Sequence, residues 1–482
     1  MADLSVGGLA TGIDTASLIQ KLMELEQQPQ KVLQSKVTAA QSKISIFNQI
    51  SSAMSSLETA VKEMNTPTAF ISRASALTDS SVATATVDST AQPDTHTILV
   101  DSLAQFQRQI SDTTYASAAD LNFSTGTITI GKSGSPDTPV SIAIGEGQNS
   151  LTGIAAAING SGANVSASLI NDGTGYRLIL TGKDTNNYAV DTTGLTTAPV
   201  SPTGAAYAAP TFAGGIGYLE GRPASFTVDG IAMTRTSNSI SDVIPGVTFN
   251  LLKDGASSTK LTVSTDISGV TAKINGFVSA YNSAMTLLSK QSSYNSTTKS
   301  AGALAGDSTV RDIKKQLQSV ISNAVAGVDD NFSGLSSIGI STNYQDGTLK
   351  VDATKLAKSL NTHFDAVADL FTHNSGKKNL AANEYGIAQQ FTTQLGKITH
   401  IYEGDTSSNN GKIASRIKGL NDLISDTNKR IAVMDDQLAR KQAQLKKQYA
   451  AMESLVSSIQ SSGNKLLAAL DSYTTSTKSS SS

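Results

Sequence analysis

The chain has no cysteine and no tryptophan. The first absence excludes disulfides and thiolate metal sites, and it suits a protein that enters oxidising surroundings without risking wrong pairings. Aromatic residues make up 5% and charged residues 16% of the 482 positions. The polarity lies instead in Ser, Thr, Asn, Gln and Gly. Such a chain points to β-rich domains and long helices rather than a dense enzyme core. A net charge of −2 gives no electrostatic case for nucleic acid or an anionic membrane. No apolar run reaches the roughly 18 residues that a membrane span needs. The opening, MADLSVGGLATGIDTASLIQ, has no basic n-region and no continuous apolar run, so it does not read as a Sec signal.

Chemistry is equally sparse. The four histidines, His96, His363, His373 and His400, form neither a His-x-His pair nor an i, i+4 helical pair. There is no GxSxG elbow and no Walker A sequence. Near Gly145 and Gly147 the third position of a dinucleotide fingerprint is Ser150. Asp329 and Asp330 are adjacent but open no EF-hand loop. Arg440, Lys441, Lys446 and Lys447 read as a solvated helix face. No catalytic residue, cofactor or metal is expected.

What the chain does have is two long apolar seams. From Ile413 to Leu470 the steps alternate four and three, through Ile417, Leu420, Ile424, Thr427, Ile431, Met434, Leu438, Lys441 and Leu445. One extra step of four leads to Tyr449, a stutter that locally unwinds a supercoil. The seam resumes through Met452, Val456, Ile459, Gly463, Leu466 and Leu470. A stripe this narrow and long marks a coiled coil, which must find partners to bury it.

The second seam lies at the other end. Asp14 is placed to cap a short helix from Thr15 to about Gln27, with Leu18, Leu22 and Leu25 on one face. Pro29 suits the first turn of a second helix. That helix carries Leu33, Val37, Ala40, Ile44, Phe47, Ile50, Met54, Leu57, Val61 and Met64. Antiparallel pairing of the two rods is the simplest way to bury both stripes.

Between the rods the period shifts to two from about Leu77. Val82, Thr84 and Thr86 alternate, as do Thr97, Leu99 and Asp101. TGTITIG with TPVSIAIG, and SFTVDGIAMTR, read as hairpins; SLTGIAAAING reads as a small helix. Residues 192–217 read as a low-complexity loop. Helices are expected at 268–290, at 307–326 with Gly327 as the stop, and at 353–370. A hairpin is expected at SIGISTNYQDGTLKV, and a disordered tail at TTSTKSSSS.

These pieces resemble the bacterial flagellar filament-capping family, also called hook-associated protein two. GLATGIDTASLIQKLMELEQQP looks like the family's opening, and residues 150–183 resemble the flagellin hook IN motif. The most family-specific stretch is SNSISDVIPGVTFNLL, with Ile244, Pro245 and Gly246 at its centre. LAGDSTVRDI, LSSIGISTNYQDGTLKVDATKL and KQYAAMESLVSSIQSSGNKLLAAL follow in the family's order. Lys465-Leu466 stands where members often have Tyr-Leu.

The resemblance implies an α+β multidomain chain. A long antiparallel coiled-coil leg from both termini would carry a head of β-rich domains. Terminal helical segments at 1–40 and 441–482 would contact the filament and be partly disordered when free. The leg proper, with a small hairpin, would be 41–75 and 268–440. A discontinuous head domain would occupy 76–119 and 218–267, with an inserted domain at 120–217. The implied role is a cap at the distal end of the flagellar filament, where exported flagellin folds, inserts and is kept from loss. Implied partners are four or five further copies in a pentamer or hexamer, flagellin, the hook-associated junction proteins, and an export chaperone at the C-terminal helix. The implied location is extracellular, at the flagellum tip, reached through the flagellar type III apparatus without a cleaved signal. The expected assembly seam is Leu33, Val37, Ile44, Phe47, Met54 and Leu57 with Ile417, Ile424, Ile431, Leu438, Leu445, Met452, Ile459, Leu466 and Leu470. Two other classes fit the residues: another axial protein (junction protein or filament subunit), or a secreted coiled-coil adhesin that binds host mucin or glycan.

Overall fold

The computed structural model describes residues 14–295, 299–399 and 411–478. His400 and the first thirteen residues lie outside them, as do the last four of the expected disordered tail. The helices are α1 (Thr15–Glu26), α2 (Gln28–Lys62), α3 (Pro67–Phe70), α4 (Leu151–Gly160) and α5 (Ile267–Ser292). They continue with α6 (Ser308–Ser322), α7 (Ala353–Thr362), α8 (Phe364–Thr372), α9 (Ile387–Thr399) and α10 (Lys412–Lys478). The chain divides into two compact units: Met1–Phe70 with Thr271–Ser482, and Ile71–Val270.

The first unit is helical. The Asp14 carboxylate accepts from the Ser17 amide and starts α1, and Pro29 sits in the first turn of α2. Only Gln27 separates the two helices. α10 runs for 67 residues, about 100 Å at 1.5 Å per residue. It takes in Thr474–Lys478, which the tail's composition suggested was disordered. α2 packs along α10 and against α9. An aromatic cluster fills the centre, with Phe70 on Phe371 at 5.4 Å and Phe277 on Phe391 at 5.2 Å. Asn282 of α5 clamps the hairpin Ile340–Thr342/Leu349–Val351: its amide donates to the Leu349 carbonyl and accepts from the Leu349 N–H.

Two helical expectations need correction, and one helix was not expected. α6 stops at Ser322 rather than near Gly327. Asn323 turns extended there, and the following amides of Val325 and Ala326 donate to Ser333 and Asn383 instead. The expected helix 353–370 is two helices broken at His363 (φ −141°, ψ 48°). α9 was not expected, although Ile387, Phe391, Leu395 and Ile398 lie at helical spacing and are all buried.

The second unit has two β cores. In one, an antiparallel five-stranded sheet runs in the order 73–77, 257–265, 94–102, 224–228, 231–235. It shares a core with a three-stranded sheet of 239–240, 247–251 and 83–87. Phe226 and Phe249 meet edge-on at 5.8 Å between them. Strand 94–102 alternates as its sequence suggests, with Ile98 and Val100 as the buried pair. Hairpin 224–228/231–235 turns on Asp229 (φ 51°) and Gly230 (φ 80°), the left-handed pair of a type I′ turn.

The other core joins strands 108–110, 176–182 and 165–171 to a second sheet built on 125–132 and 140–144, with α4 packed inside. The Ser150 hydroxyl caps α4. The stretch 192–217 is more ordered than its composition suggests. Leu195–Thr197 pairs with strand 125–132, and Tyr207 meets Tyr115 edge-on at 5.4 Å and Phe123 at a tilt at 5.2 Å.

Candidate assembly interface

The two seams do meet, and they run antiparallel. The Thr15 hydroxyl donates to Glu453 at 3.2 Å, Lys441 reaches Glu26 at 3.7 Å, and the Gln30 amide bonds Asp435. As one number rises the other falls. Lys441, an interruption of the apolar stripe, is thus used as an ion-pair partner. Thr427 is buried and donates its hydroxyl to the Leu423 carbonyl, so its polar group is satisfied within the helix.

The root of α10 is firmly held. Ile413 and Leu420 are buried, and Arg416 donates twice to Asp307 Oδ2, at 2.8 and 3.1 Å. Asp307 also caps α6 through its other oxygen, at 2.9 Å from the Thr309 amide.

On α2 the seam is deep. Leu33, Phe47, Ile50, Met54, Leu57 and Val61 are buried, with Val37 and Ile44 half-buried. On α10 burial fades with distance from the root. Ile417, Ile424, Ile431, Leu438 and Leu445 are half-buried; Met452 is 37%, Ile459 61%, Leu466 65% and Leu470 55% exposed. One seam is therefore satisfied at one end and bare at the other.

α1 shows the same division on a smaller scale. It packs on α10 through Thr15, Ile19 and Met23, leaving a cleft of about 840 Å³ beside Tyr449 and Glu453. Leu18, Leu22 and Leu25, which the sequence places on one face, are the more exposed side, at 38%, 36% and 70%. Ile19 and Met23 lie on the adjacent stripe, and that stripe meets α10. Periodicity could not choose between the two apolar faces. Leu18, Leu22 and Leu25 on α1 and Leu455, Ile459, Leu466, Leu467 and Leu470 on distal α10 are all exposed.

In the second unit, Ile244-Pro245-Gly246 forms a type II turn. Pro245 takes the first central position and Gly246 (φ 74°) the second, and the Val247 amide donates to the Ile244 carbonyl at 3.0 Å. A Cβ on Gly246 would fall 2.5 Å from the Ala91 nitrogen, so only glycine fits. The Asp88 amide donates to the Gly246 carbonyl, and the turn delivers strand 247–251 to its partner 83–87. Its place is therefore in the fold of the β core.

Among the described residues no group of three His, Asp or Glu could hold a metal, and no helix is long and apolar enough to cross a membrane. His96 bonds Asp229 at 2.7 Å and His373 bonds Asp369 at 2.9 Å, each a local tether. A helical unit with an unfinished seam, joined in sequence to a β-rich unit, defines a structural assembly protein.

Comparison with known proteins specifies which. Residues 221–461 match the flagellar hook-associated protein 2 C-terminus, 11–107 its N-terminus, and 120–184 the flagellin hook IN motif. Flagellar hook-associated protein 2 of Escherichia coli K12 is 30% identical over 454 residues, 92% of this chain and 94% of that one. The B-type protein of Pseudomonas aeruginosa is 28% identical over 477 residues, 92% and 97% of the two chains. The crystal structure of the flagellar cap protein FliD D1-D2-D3 domains from Escherichia coli superposes with a TM-score of 0.57 at 28% identity, covering 78% of this chain and 99% of that one. The chain belongs to the flagellar hook-associated protein 2 family, and it is a structural cap of the flagellar filament rather than an enzyme. Junction protein, filament subunit and adhesin are not supported. Members form a homo-oligomeric cap at the filament tip, an extracellular location.

Proposed function

We propose that the bare end of the helical seam is how this cap holds the filament. The observation behind this reading is the gradient along α10, from buried Leu420 to 65%-exposed Leu466. Five or six copies stand in a ring, their β-rich units forming a plate and their helical units pointing into the growing end. Leu18, Leu22 and Leu25 of α1, with Ile459, Leu466 and Leu470 of α10, dock against flagellin or the neighbouring copy. Exported flagellin folds beneath the plate and joins the filament, and the ring then steps on.

Stepping requires a hold that can be released. Gly463 and Lys441 forfeit apolar burial worth about 1.5–3 kcal/mol each, which keeps the grip of any one subunit modest. The same bare C-terminal stripe suits an export chaperone before secretion through the type III channel, and the junction proteins are the cap's first seat before flagellin arrives. In this reading residues 1–40 and 441–482 are the filament-contacting segments. Residues 41–75 with 268–440 are the leg, 76–119 with 218–267 the first head domain, and 120–217 the inserted one.

Deleting residues 1–30 tests this. The truncated protein should stay folded and self-associate, but lose its place at filament ends and let flagellin leak as monomer. Normal capping by that truncation would overturn the proposal.

A further inference from the structure

We propose that a cleft in the helical unit is a basic socket for the acidic β-rich unit of a second copy of this chain. This rests on the ring reading above and specifies its contact. The cleft, about 780 Å³, lies between α6, α9 and the loop 376–385. Lys377 and Lys378 enter it from the loop and Lys397 from α9; the other polar walls are amides and hydroxyls such as Asn323, Gln394 and Tyr385. Among the described residues no carboxylate lines it. The three lysines are exposed, and among the described residues none pairs with an acidic group.

The loop is a built wall. Asn374, Gly376 and Asn379 hold left-handed backbone (φ 51°, 82° and 63°). The Leu380 amide donates to the Tyr385 hydroxyl at 3.1 Å, and the Gln390 side chain donates to the Tyr385 carbonyl at 2.7 Å. Glu384, the acid nearest to Lys377 and Lys378 in sequence, accepts from the Ala381 amide at 2.6 Å. Among the described residues the positive charge of the cleft thus has no acidic partner of its own.

Charge distribution identifies the occupant. Residues 71–270 carry 9 Lys and Arg against 16 Asp and Glu, a balance of −7; the rest of the chain carries 28 against 23, a balance of +5. Like units of two copies repel and unlike units attract. An unlike contact joins two different surfaces, the heterologous arrangement that closes into rings. Asp137 and Glu146, exposed at the two ends of strand 140–144 and unpaired with any Lys or Arg among the described residues, are the first carboxylates to fit.

The test is carbodiimide coupling of full-length protein, mixed from ¹⁴N- and ¹⁵N-labelled preparations, followed by mass spectrometry. Mixed-isotope amide links should join Lys377, Lys378 or Lys397 to carboxylates within 71–270. The exposed triple variant K377Q/K378Q/K397Q should keep its circular dichroism and lose those links. Its self-association in sedimentation should weaken about tenfold at low salt. If the links run only to residues outside 71–270, or if the variant associates like wild type, the socket is refuted while the ring stands. A chain that stays monomeric at every concentration removes both.

Discussion

Replacing Ile459, Leu466 and Leu470 together by alanine separates holding from folding. These side chains are 61%, 65% and 55% exposed in the isolated chain. Full burial of such a side chain contributes about 1.5–3 kcal/mol, and alanine keeps part of that. Each therefore has roughly 0.7–1.3 kcal/mol still to gain on docking, or about 2–4 kcal/mol for the three. At 1.4 kcal/mol per factor of ten, the hold on a filament end should weaken about 30- to 700-fold. Alanine is the best helix former, so α10 itself is not weakened. Cap occupancy of filament ends measures the hold, and thermal melting measures the fold. The control is Leu57→Ala at a fully buried position on α2, which should cost about 2–5 kcal/mol and lower the melting temperature by at least about 4 °C. The reasoning fails if the triple variant melts as early as the control, or if it holds filament ends as wild type does.

Other outcomes follow from the β-rich unit. Gly246→Ala forces a Cβ to within 2.5 Å of the Ala91 nitrogen at φ 74°, so it should destabilise that unit by several kcal/mol, about 2–4. Equilibrium unfolding followed by Phe and Tyr signals checks this, and unchanged stability would remove the turn's assigned role. In the same unit Asp79, Asp88, Asp172, Asp191 and Asp266 each accept a hydroxyl and an amide from the second or third residue onward, and those hydroxyl bonds hold their carboxyls below the usual range. His96 does the same for Asp229. Because the folded values are depressed, the stabilisation is complete above the unfolded value of about 3.9 and is lost as pH falls through the folded values. Urea unfolding should thus be flat from pH 7 to about pH 5 and weaken below about pH 4. A decline already present between pH 7 and 5 would contradict the assignment.

The helices of the seam were legible because a narrow stripe at four-and-three spacing leaves few alternatives, and the Asp229-Gly230 turn because its backbone demands left-handed residues. The limits were physical too. On α1 two neighbouring stripes are apolar, and which one meets α10 depends on where α10 lies. α9 carries a clear spacing in Ile387, Phe391, Leu395 and Ile398, but it follows a Gly- and Asn-containing loop that masks its start. The break at His363 has neither proline nor glycine to announce it. Tyr207 orders a loop of Ala, Gly, Thr and Pro by packing edge-on and tilted against Tyr115 and Phe123, rings some ninety residues away in sequence. The fading burial along α10 was not readable either, since the seam residues look alike at both ends.

That gradient is measured most directly by amide hydrogen exchange along residues 412–470 in dilute monomer and in protein bound at filament ends. Amides near Ile413 and Leu420 should be slow in both states, while those from Met452 to Leu470 should exchange fast in the monomer and slow only at the filament. Equal protection of the distal segment in the isolated monomer would mean that the stripe is already satisfied, and the account would be wrong.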